Sequence, residues 1–210
     1  MPENHITKKI HRLLKPLKKL PNTLDEIRTS LDKNKYTSVN LYFQDESRFR
    51  LMTKQKCVLI SKGIQPVCNY QHSYKWLWLW GCFSPITGDT FYRETPLVSN
   101  DIFEKFLEDF SEQKPKELKI IIMDNAGFHV CQNIQIPENI KLIRIPPYTP
   151  ELNPAEKVWQ WMKDRTAMKM FTSTQQLQQK ITQLVHQLKP ELIKSITVYD
   201  MYTKLFYEKF

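Results

Sequence analysis

Residues 119–129 read KIIIMDNAGFH, and the fold that we expect for the chain rests mainly on this stretch. Its apolar run, Ile120–Met123, is typical of a strand that is buried on both faces. The run leads directly into Asp124, which places an acid where the strand ends. A strand of this kind belongs to a sheet covered by helices on both sides. We therefore predict an α/β fold with a mixed sheet flanked by helices.

Two other acids stand at comparable positions. Residues 41–47 read LYFQDES, in which a second apolar run meets Asp45 at the predicted end of a strand. Residues 146–159 read PPYTPELNPAEKVW, a stiff proline-rich connection followed by a helix with Asn153 as its N-cap and Pro154 in the first helical position. Glu156 then lies in the first turn of that helix. The sequence thus offers three acids at the edges of regular elements.

The three acids predict a metal site if the fold brings them together. Like charges about 4 Å apart repel by roughly 4 kcal/mol per pair at an effective dielectric of 20, so a cation must lie between them. Oxygen ligands without Cys or His favour Mg²⁺ or Mn²⁺, and such ions often act in pairs on phosphodiesters. The predicted reaction class is therefore in-line phosphoryl transfer.

Each acid also has a purely structural interpretation. Glu156 could close a capping box with Asn153, and Asp124 could belong to a turn that follows the strand. Asp45 is followed by Glu46, and neighbours on a strand face opposite ways, so either acid could be the inward one or both could be solvated. No single acid decides between structure and chemistry.

Order and context of the acids together resemble the catalytic triad of DDE transposases, specifically the bacterial insertion-sequence branch of the mariner-like superfamily. The matching motifs are DES at 45–47, DNAGFH at 124–129 and PYTPELNPAE at 147–156. The resemblance implies a ribonuclease H-like, integrase-like core in which Asp45, Asp124 and Glu156 are the catalytic residues and metal ligands. It also implies Mg²⁺ as cofactor, with Mn²⁺ able to substitute and two ions bound.

The same resemblance implies a reaction and its partners. We expect DNA cleavage and 3′-end strand transfer in DNA transposition, with transposon ends and target DNA bound by a homodimer or a higher synaptic assembly. Asn125, His129 and Asn153 are candidates for residues that support the ligands. Their alternatives are a turn-stabilising amide for Asn125, a plain surface or core histidine for His129 and the helix N-cap for Asn153. Lys163 shares a helix face with Glu156 and could contact a phosphate or remain solvated.

Composition agrees with a nucleic-acid partner without proving one. The 210 residues carry 31 Lys and Arg against 22 Asp and Glu, a net charge of +9. An excess of this sign favours polyanionic partners, but many ribosomal and membrane-surface proteins are equally basic. The four cysteines show no zinc-binding spacing. Without a signal peptide or an apolar run of spanning length, we expect a cytoplasmic, nucleoid-associated protein and no membrane partner.

The chain divides into three predicted parts. Residues 1–37 form a basic segment or linker, 38–170 the catalytic core and 171–210 a helical extension. Family transposases carry helix-turn-helix modules ahead of the core, so a separately encoded module of this type is an expected partner. Two alternatives stay open: a metal-dependent DNA nuclease without strand transfer, and a non-catalytic remnant or regulator that binds DNA or a transposase.

Overall fold

The computed structural model describes residues 19–54, 57, 59–65, 67, 69–124, 134–145 and 150–210. Within them, five strands and six α-helices follow one another along the chain. In order they are α1 (Leu20–Thr29), β1 (Ser38–Arg50), β2 (Trp76–Phe83), β3 (Thr90–Thr95), α2 (Asn100–Glu112), β4 (Glu117–Met123), β5 (Ile140–Arg144), α3 (Ala155–Thr166), α4 (Thr174–Gln187), α5 (Pro190–Thr197) and α6 (Asp200–Lys209). A short 3-10 helix, Pro150–Leu152, precedes α3.

The strands form one mixed sheet in the order β3-β2-β1-β4-β5. β2 runs antiparallel to β1 and to β3, whereas β4 runs parallel to β1 and to β5. β3 and β4 therefore point the same way, and α2 makes the crossover between them. The predicted fold class, a mixed sheet flanked by helices, is confirmed.

The two faces of the sheet carry separate apolar cores. The face covered by α2 buries Trp80 together with Phe103, Phe106 and Phe110 of that helix. The opposite face is covered by the remaining helices and buries Leu79. Alternation along β2 thus sends its tryptophans and leucines to opposite sides.

Core packing holds for Trp80 but not for all three tryptophans of β2. Trp76 is 43% exposed because it lies at the first residue of the strand, beyond the pairing with β3, which starts at Trp78. The Arg48 guanidinium lies 5.5 Å from the ring centroids of both Trp76 and Trp78. These two rings pack against a cation instead of a helix.

β1 is longer than the sequence predicts. It continues to Arg50 because β2 pairs with it from Phe43 onward, whereas β4 pairs with it only as far as Phe43. The expectation that Asp45 ends the strand is therefore wrong. Asp45 lies inside β1, at the point where the neighbour on one side stops.

The C-terminal helices belong to the same core as the sheet. Ile181 of α4, Ile193 of α5 and Phe206 of α6 are buried in the cluster that contains Leu79. Pro190 starts α5, since a proline without an N–H group suits a first helical turn. No helix among the described residues is long and apolar enough to cross a membrane.

Candidate active site

Asp45 is the most enclosed of the three predicted acids. Its side chain is 9% exposed and lies on the face of the sheet that α3 covers. The indole Nε1 of Trp159 donates a hydrogen bond of 2.9 Å to Asp45 Oδ2. A neutral donor from α3 therefore fixes one oxygen of a buried carboxylate.

The position of Asp124 relative to Asp45 is related to the pairing of β1 with β4. Phe43 is paired with Ile122 across these parallel strands, and both side chains belong to the same core. The pairing of the two strands ends there, and Asp45 and Asp124 each lie two residues beyond it. Asp124 is half-buried. The two aspartates are near enough for the charge of Asp124 to act on Asp45.

Glu156 is held near them by the start of α3. Asn153 Nδ2 donates to the carbonyl oxygen of Gln44, the residue before Asp45, over 2.8 Å. Asn153 Oδ1 accepts a hydrogen bond from the N–H of Ala155 at 3.1 Å. The helix begins at Ala155, one residue later than predicted, and Pro154 therefore occupies the N-cap position. The exposed Glu156 follows in the first turn. Asn153 therefore ties the beginning of α3 to the strand that carries Asp45.

The three acids interact electrostatically. The pKa of Asp45 is raised well above its usual value, first by burial, then by the negative charges of Glu46 and Glu156, and to a smaller extent by Asp124. Burial lowers the pKa of Lys163, although Glu156 and Asp45 act to raise it. The site concentrates negative charge, and the half-buried Lys163 lies beside it.

Glu46 and Asp45 take different sides of β1. The Gln44 side chain, on the face opposite Asp45, donates through Nε2 to Glu46 Oε1 at 2.7 Å. Asp45 is the acid that faces α3. The sequence left open which of Asp45 and Glu46 faces inward toward α3, and the structure shows that it is Asp45.

The position of the Trp159 ring depends on a glycine in β2. A Cβ atom at Gly81 would lie 2.7 Å from Trp159 Cη2 and 2.5 Å from Phe83 Cζ. The Trp159 and Phe83 rings pack edge to face with centroids 5.1 Å apart. The absence of a side chain at Gly81 lets the indole reach Asp45.

The donor set fits a hard divalent cation, although the described part of the chain contains no preformed site. Among the described residues, no three His, Cys, Asp or Glu side chains are grouped so that they could hold a metal ion as they stand. The three acids nevertheless supply only carboxylate oxygens, and the buried Asp45 has a neutral donor and acidic neighbours. Such a set suits Mg²⁺ or Mn²⁺.

Two predicted supporting residues, Asn125 and His129, lie outside the described residues, as does the start of the proline-rich connection, residues 146–149. The sequence did not reveal that Trp159 supports Asp45, because these residues are 114 positions apart. Trp159 shares a helix face with Glu156, but Gln160 turns away and donates to Asp164 Oδ1 at 2.7 Å. Helical spacing alone did not indicate which of Trp159 and Gln160 contacts Asp45.

Comparison with known proteins gives one family for most of the chain. Residues 40–178 match the family model described as DDE superfamily endonuclease. An uncharacterized protein of Sinorhizobium fredii, y4pE/y4sA, is 32% identical over 90 residues, which cover 42% of this chain and 67% of that protein. The Tcb2 transposable element transposase of Caenorhabditis briggsae is 24% identical over 137 residues, 58% of this chain and 50% of that protein.

Solved structures agree on the fold. The Mos1 mariner paired-end complex with Mn is similar with a TM-score of 0.64 at 13% identity, over 95% of this chain and 62% of that chain. The Mos1 strand transfer complex is similar with a TM-score of 0.61 at 14% identity, over 94% of this chain and 62% of that chain. These likenesses show a ribonuclease H-like fold. The chain spans half to two thirds of the length of these relatives.

Proposed function

We propose that this chain, which belongs to the DDE superfamily endonuclease family, cleaves DNA phosphodiester bonds with divalent metal ions held by Asp45, Asp124 and Glu156. One observation carries the proposal. A buried carboxylate, Asp45, has a neutral hydrogen-bond donor and two other acids as neighbours, in a protein with an overall charge of +9. Such an excess of local negative charge is compensated by bound cations.

The chain's own residues have distinct tasks in this proposal. Trp159 holds Asp45 Oδ2, while Asn153 sets the start of α3 and with it Glu156. The exposed carboxylate of Glu156 can meet a substrate that arrives from solvent. Bound Mg²⁺ or Mn²⁺ would activate the attacking water or 3′-hydroxyl and stabilise the leaving oxygen.

The finer proposal is DNA transposition by an enzyme of the bacterial insertion-sequence branch of the mariner-like superfamily. It includes joining of the freed 3′ end to target DNA, two metal ions per site, and assembly of at least two copies on transposon ends. The proposed catalytic core is 38–170, between a basic segment (1–37) and a helical extension (171–210). Support comes from the DNAGFH and NPAE motifs and from the fold shared with Mos1, whose complexes include a strand transfer complex.

A nicking assay tests the proposal. Purified protein and supercoiled plasmid are incubated with Mn²⁺, with Mg²⁺ or with EDTA, and nicked circles are quantified on a gel. We expect metal-dependent nicking that Asp124→Asn reduces by roughly a hundredfold to a thousandfold, because removing a ligand costs several kcal/mol of transition-state stabilisation. The matched control is Asp101→Asn, an exposed acid at the start of α2. Equal nicking by the two variants contradicts the assignment of Asp124.

A second assay separates transposase from simple nuclease. Pre-cut duplexes with free 3′-hydroxyls are offered with a target plasmid, and joined products are measured. Joining supports strand transfer, whereas nicking without joining supports a stand-alone nuclease.

The absence of a preformed three-ligand group among the described residues favours one further candidate, a non-catalytic protein that binds DNA or a transposase. Calorimetric titration with Mn²⁺ distinguishes it. A catalytic site predicts ion binding that is abolished in Asp45→Asn, Asp124→Asn and Glu156→Gln alike. A non-catalytic protein predicts no ion binding that involves all three acids.

A further inference from the structure

A cavity of about 220 Å³ lies between the end of β1 and the end of α3. Its walls come from β1, from the chain that follows it, and from α3 and the segment after that helix. The lining residues are Arg48, Phe49, Arg50, Met52, Thr53, Lys54, Lys163, Thr166, Lys169 and Phe171. None of these residues belongs to the three predicted ligands.

The lining is basic. Five of its residues carry a positive charge and none carries a negative one. Arg48 packs on Trp76 and Trp78, and Lys54 has Asp164 at 3.9 Å, but Arg50 and Lys169 are exposed at the rim. A concave surface lined by one sign of charge attracts an anion.

Lys163 connects the cavity with the acids. It lies two turns after Glu156 on α3 and interacts electrostatically with Glu156 and Asp45 on one side. On the other side it interacts with Lys54 and Arg50. The cavity therefore lies next to the site where we place the cleaved bond.

Part of the wall is apolar, and the wall is held in shape. Phe49, Met52 and Phe171 contribute carbon surface beside the cations. Gln71 Nε2 donates to the carbonyl oxygen of Phe171 at 2.9 Å, and the Met168 N–H donates to the carbonyl oxygen of Lys54 at 3.0 Å. Small-molecule sites combine such an apolar lining with a few polar groups and are largely preformed.

Size distinguishes between possible anions. The volume of 220 Å³ corresponds to about seven water molecules, which exceeds what one phosphate group fills. It is below the range of roughly 300 to 1,000 Å³ for drug-sized ligands, and a DNA duplex is too wide to enter. A single base with its phosphate combines a flat apolar group with a negative charge, as the lining requires.

We infer that this cavity binds one unpaired nucleotide of the DNA strand next to the cleaved bond, with its phosphate at Arg50 and Lys169 and its base against Met52 and Phe171. The inference rests on the proposed function for the identity of the polymer. It adds that the enzyme favours DNA whose end is unpaired over a fully paired end.

DNA binding without cleavage tests the inference. Fluorescence anisotropy in EDTA compares a blunt duplex with the same duplex carrying a short single-stranded 3′ overhang that contains 2-aminopurine. We expect the overhang to bind about tenfold more tightly, because seating a base on an apolar or aromatic surface strengthens binding by this order. The 2-aminopurine emission should change only when the overhang is bound in the cavity.

The variants separate charge from packing. Arg50→Gln combined with Lys169→Gln changes exposed residues, so folding is preserved, and it should abolish the preference for the overhang. The dependence of log K on log salt should become shallower by about 0.7 for each single-strand phosphate that the removed cations had neutralised. Met52→Ala should reduce the preference without changing the salt dependence. The matched control is Lys116→Gln, an exposed lysine before β4 and one strand length away from Asp124.

Equal affinity of wild type for blunt and overhanging DNA overturns the inference, and so does an unchanged preference in the double variant. The nicking assay, with Asp124→Asn as its inactive variant, distinguishes this outcome from a failure of the proposed function. If wild type never nicks DNA but still prefers the overhang, only the catalytic proposal fails. If the protein nicks DNA but shows no preference, only the cavity assignment fails.

Discussion

Glu117 and Asp45 are the two most buried acids among the described residues, and they lie at opposite ends of the sheet. They are 4% and 9% exposed. Glu117 starts β4 and is paired with Ser38, seven residues before Asp45, which corresponds to about 23 Å along the strand. Glu117 lies on the α2 side and Asp45 on the α3 side.

Glu117 and Asp45 differ in the groups that surround their carboxylates. Glu117 Oε1 accepts a hydrogen bond from Tyr42 OH at 2.8 Å, and the same hydroxyl accepts from Asn40 Nδ2 at 2.9 Å. Asn40 Oδ1 in turn accepts from Ser84 Oγ at 2.8 Å. The carboxylate of Glu117 is part of a network of hydrogen-bond donors, as buried polar groups usually are. Asp45 instead accepts hydrogen bonds from the indole N–H of Trp159 and from the backbone N–H of Glu46, and it has other carboxylates around it.

Under the proposed function, this contrast distinguishes a structural acid, Glu117, from a metal ligand, Asp45. Burial alone does not distinguish them, because both acids are buried. The criterion is how far the protein itself supplies the donors that balance the charge. At Glu117 it supplies a network of side-chain donors, whereas at Asp45 it also supplies further negative charge, which a bound cation would balance in the proposed site.

The largest expected effect comes from removing each acid in turn. Asp45→Asn should lower metal-dependent nicking by roughly a hundredfold to a thousandfold, since it removes a proposed ligand. Its metal-free form should melt at a higher temperature than wild type, because a buried charge with like-charged neighbours is gone. Glu117→Gln should keep its nicking rate per folded molecule and melt at a lower temperature. Nicking gels and thermal melts in EDTA measure both. Similar behaviour of the two variants would contradict the contrast between the two acids.

The next effect concerns the side-chain donor that Trp159 supplies to Asp45. Trp159→Phe keeps an aromatic ring in the core but removes the N–H group that fixes Asp45 Oδ2. Residues that orient metal ligands typically contribute about tenfold to a hundredfold in metal affinity or activity. We therefore expect the Mn²⁺ concentration for half-maximal nicking to rise by that factor.

The control for this variant lies two residues further on the same helix. Trp161 is partly exposed, and the Arg165 guanidinium lies 3.7 Å from its ring centroid. Trp161→Phe should leave the Mn²⁺ dependence unchanged. If both variants shift it equally, Trp159 acts through general packing and not through Asp45.

The sequence was sufficient for the fold because its signals were local. The apolar run before Asp124 predicted a buried strand, and the capping and proline signals at Asn153 and Pro154 predicted a helix; the structure contains both, as β4 and α3. The length of β1 was missed because pairing with β2, a non-local partner, extends the strand past Asp45.

The site was only partly predictable, because it too depends on contacts between residues that are far apart in the sequence. Motif order named Asp45, Asp124 and Glu156, and their placement on one side of the sheet follows from strand register and from Asn153. The Trp159–Asp45 bond and the basic cavity combine residues more than a hundred positions apart. No periodicity within one segment indicates such pairings, so only the folded chain shows them.

A smaller effect is expected at the structural end of the sheet. Tyr42→Phe removes the hydroxyl that donates to Glu117 and leaves that buried carboxylate short of a donor. The expected cost is about 1 to 3 kcal/mol in the free energy of unfolding, measured by urea titration. Nicking per folded molecule should not change. Tyr207→Phe, at a residue that is 67% exposed, is the matched control and should be neutral.

The smallest effect is a pH dependence that separates the two ends of the sheet. The pKa of Asp45 is raised by burial and by neighbouring acids, so the protonated carboxyl favours the folded state. Its stabilising contribution is fully present below the ordinary value of 3.8 and disappears as the pH rises through the higher folded value. The melting temperatures of wild type and Asp45→Asn should therefore diverge as the pH is raised toward 8 in EDTA. For a chain of this size each kcal/mol corresponds to about 2 to 4 °C.

Added Mg²⁺ makes the pH measurement specific for the metal site. A cation at the three acids offsets their repulsion, so the gap between wild type and Asp45→Asn at pH 8 should narrow when Mg²⁺ replaces EDTA. Glu208→Gln, which removes an exposed carboxylate on α6, should show neither the divergence nor the response to Mg²⁺. A gap that is constant with pH, or that ignores Mg²⁺, would mean that Asp45 is balanced within the protein as Glu117 is. In that case the acids would form a structural cluster and not a metal site.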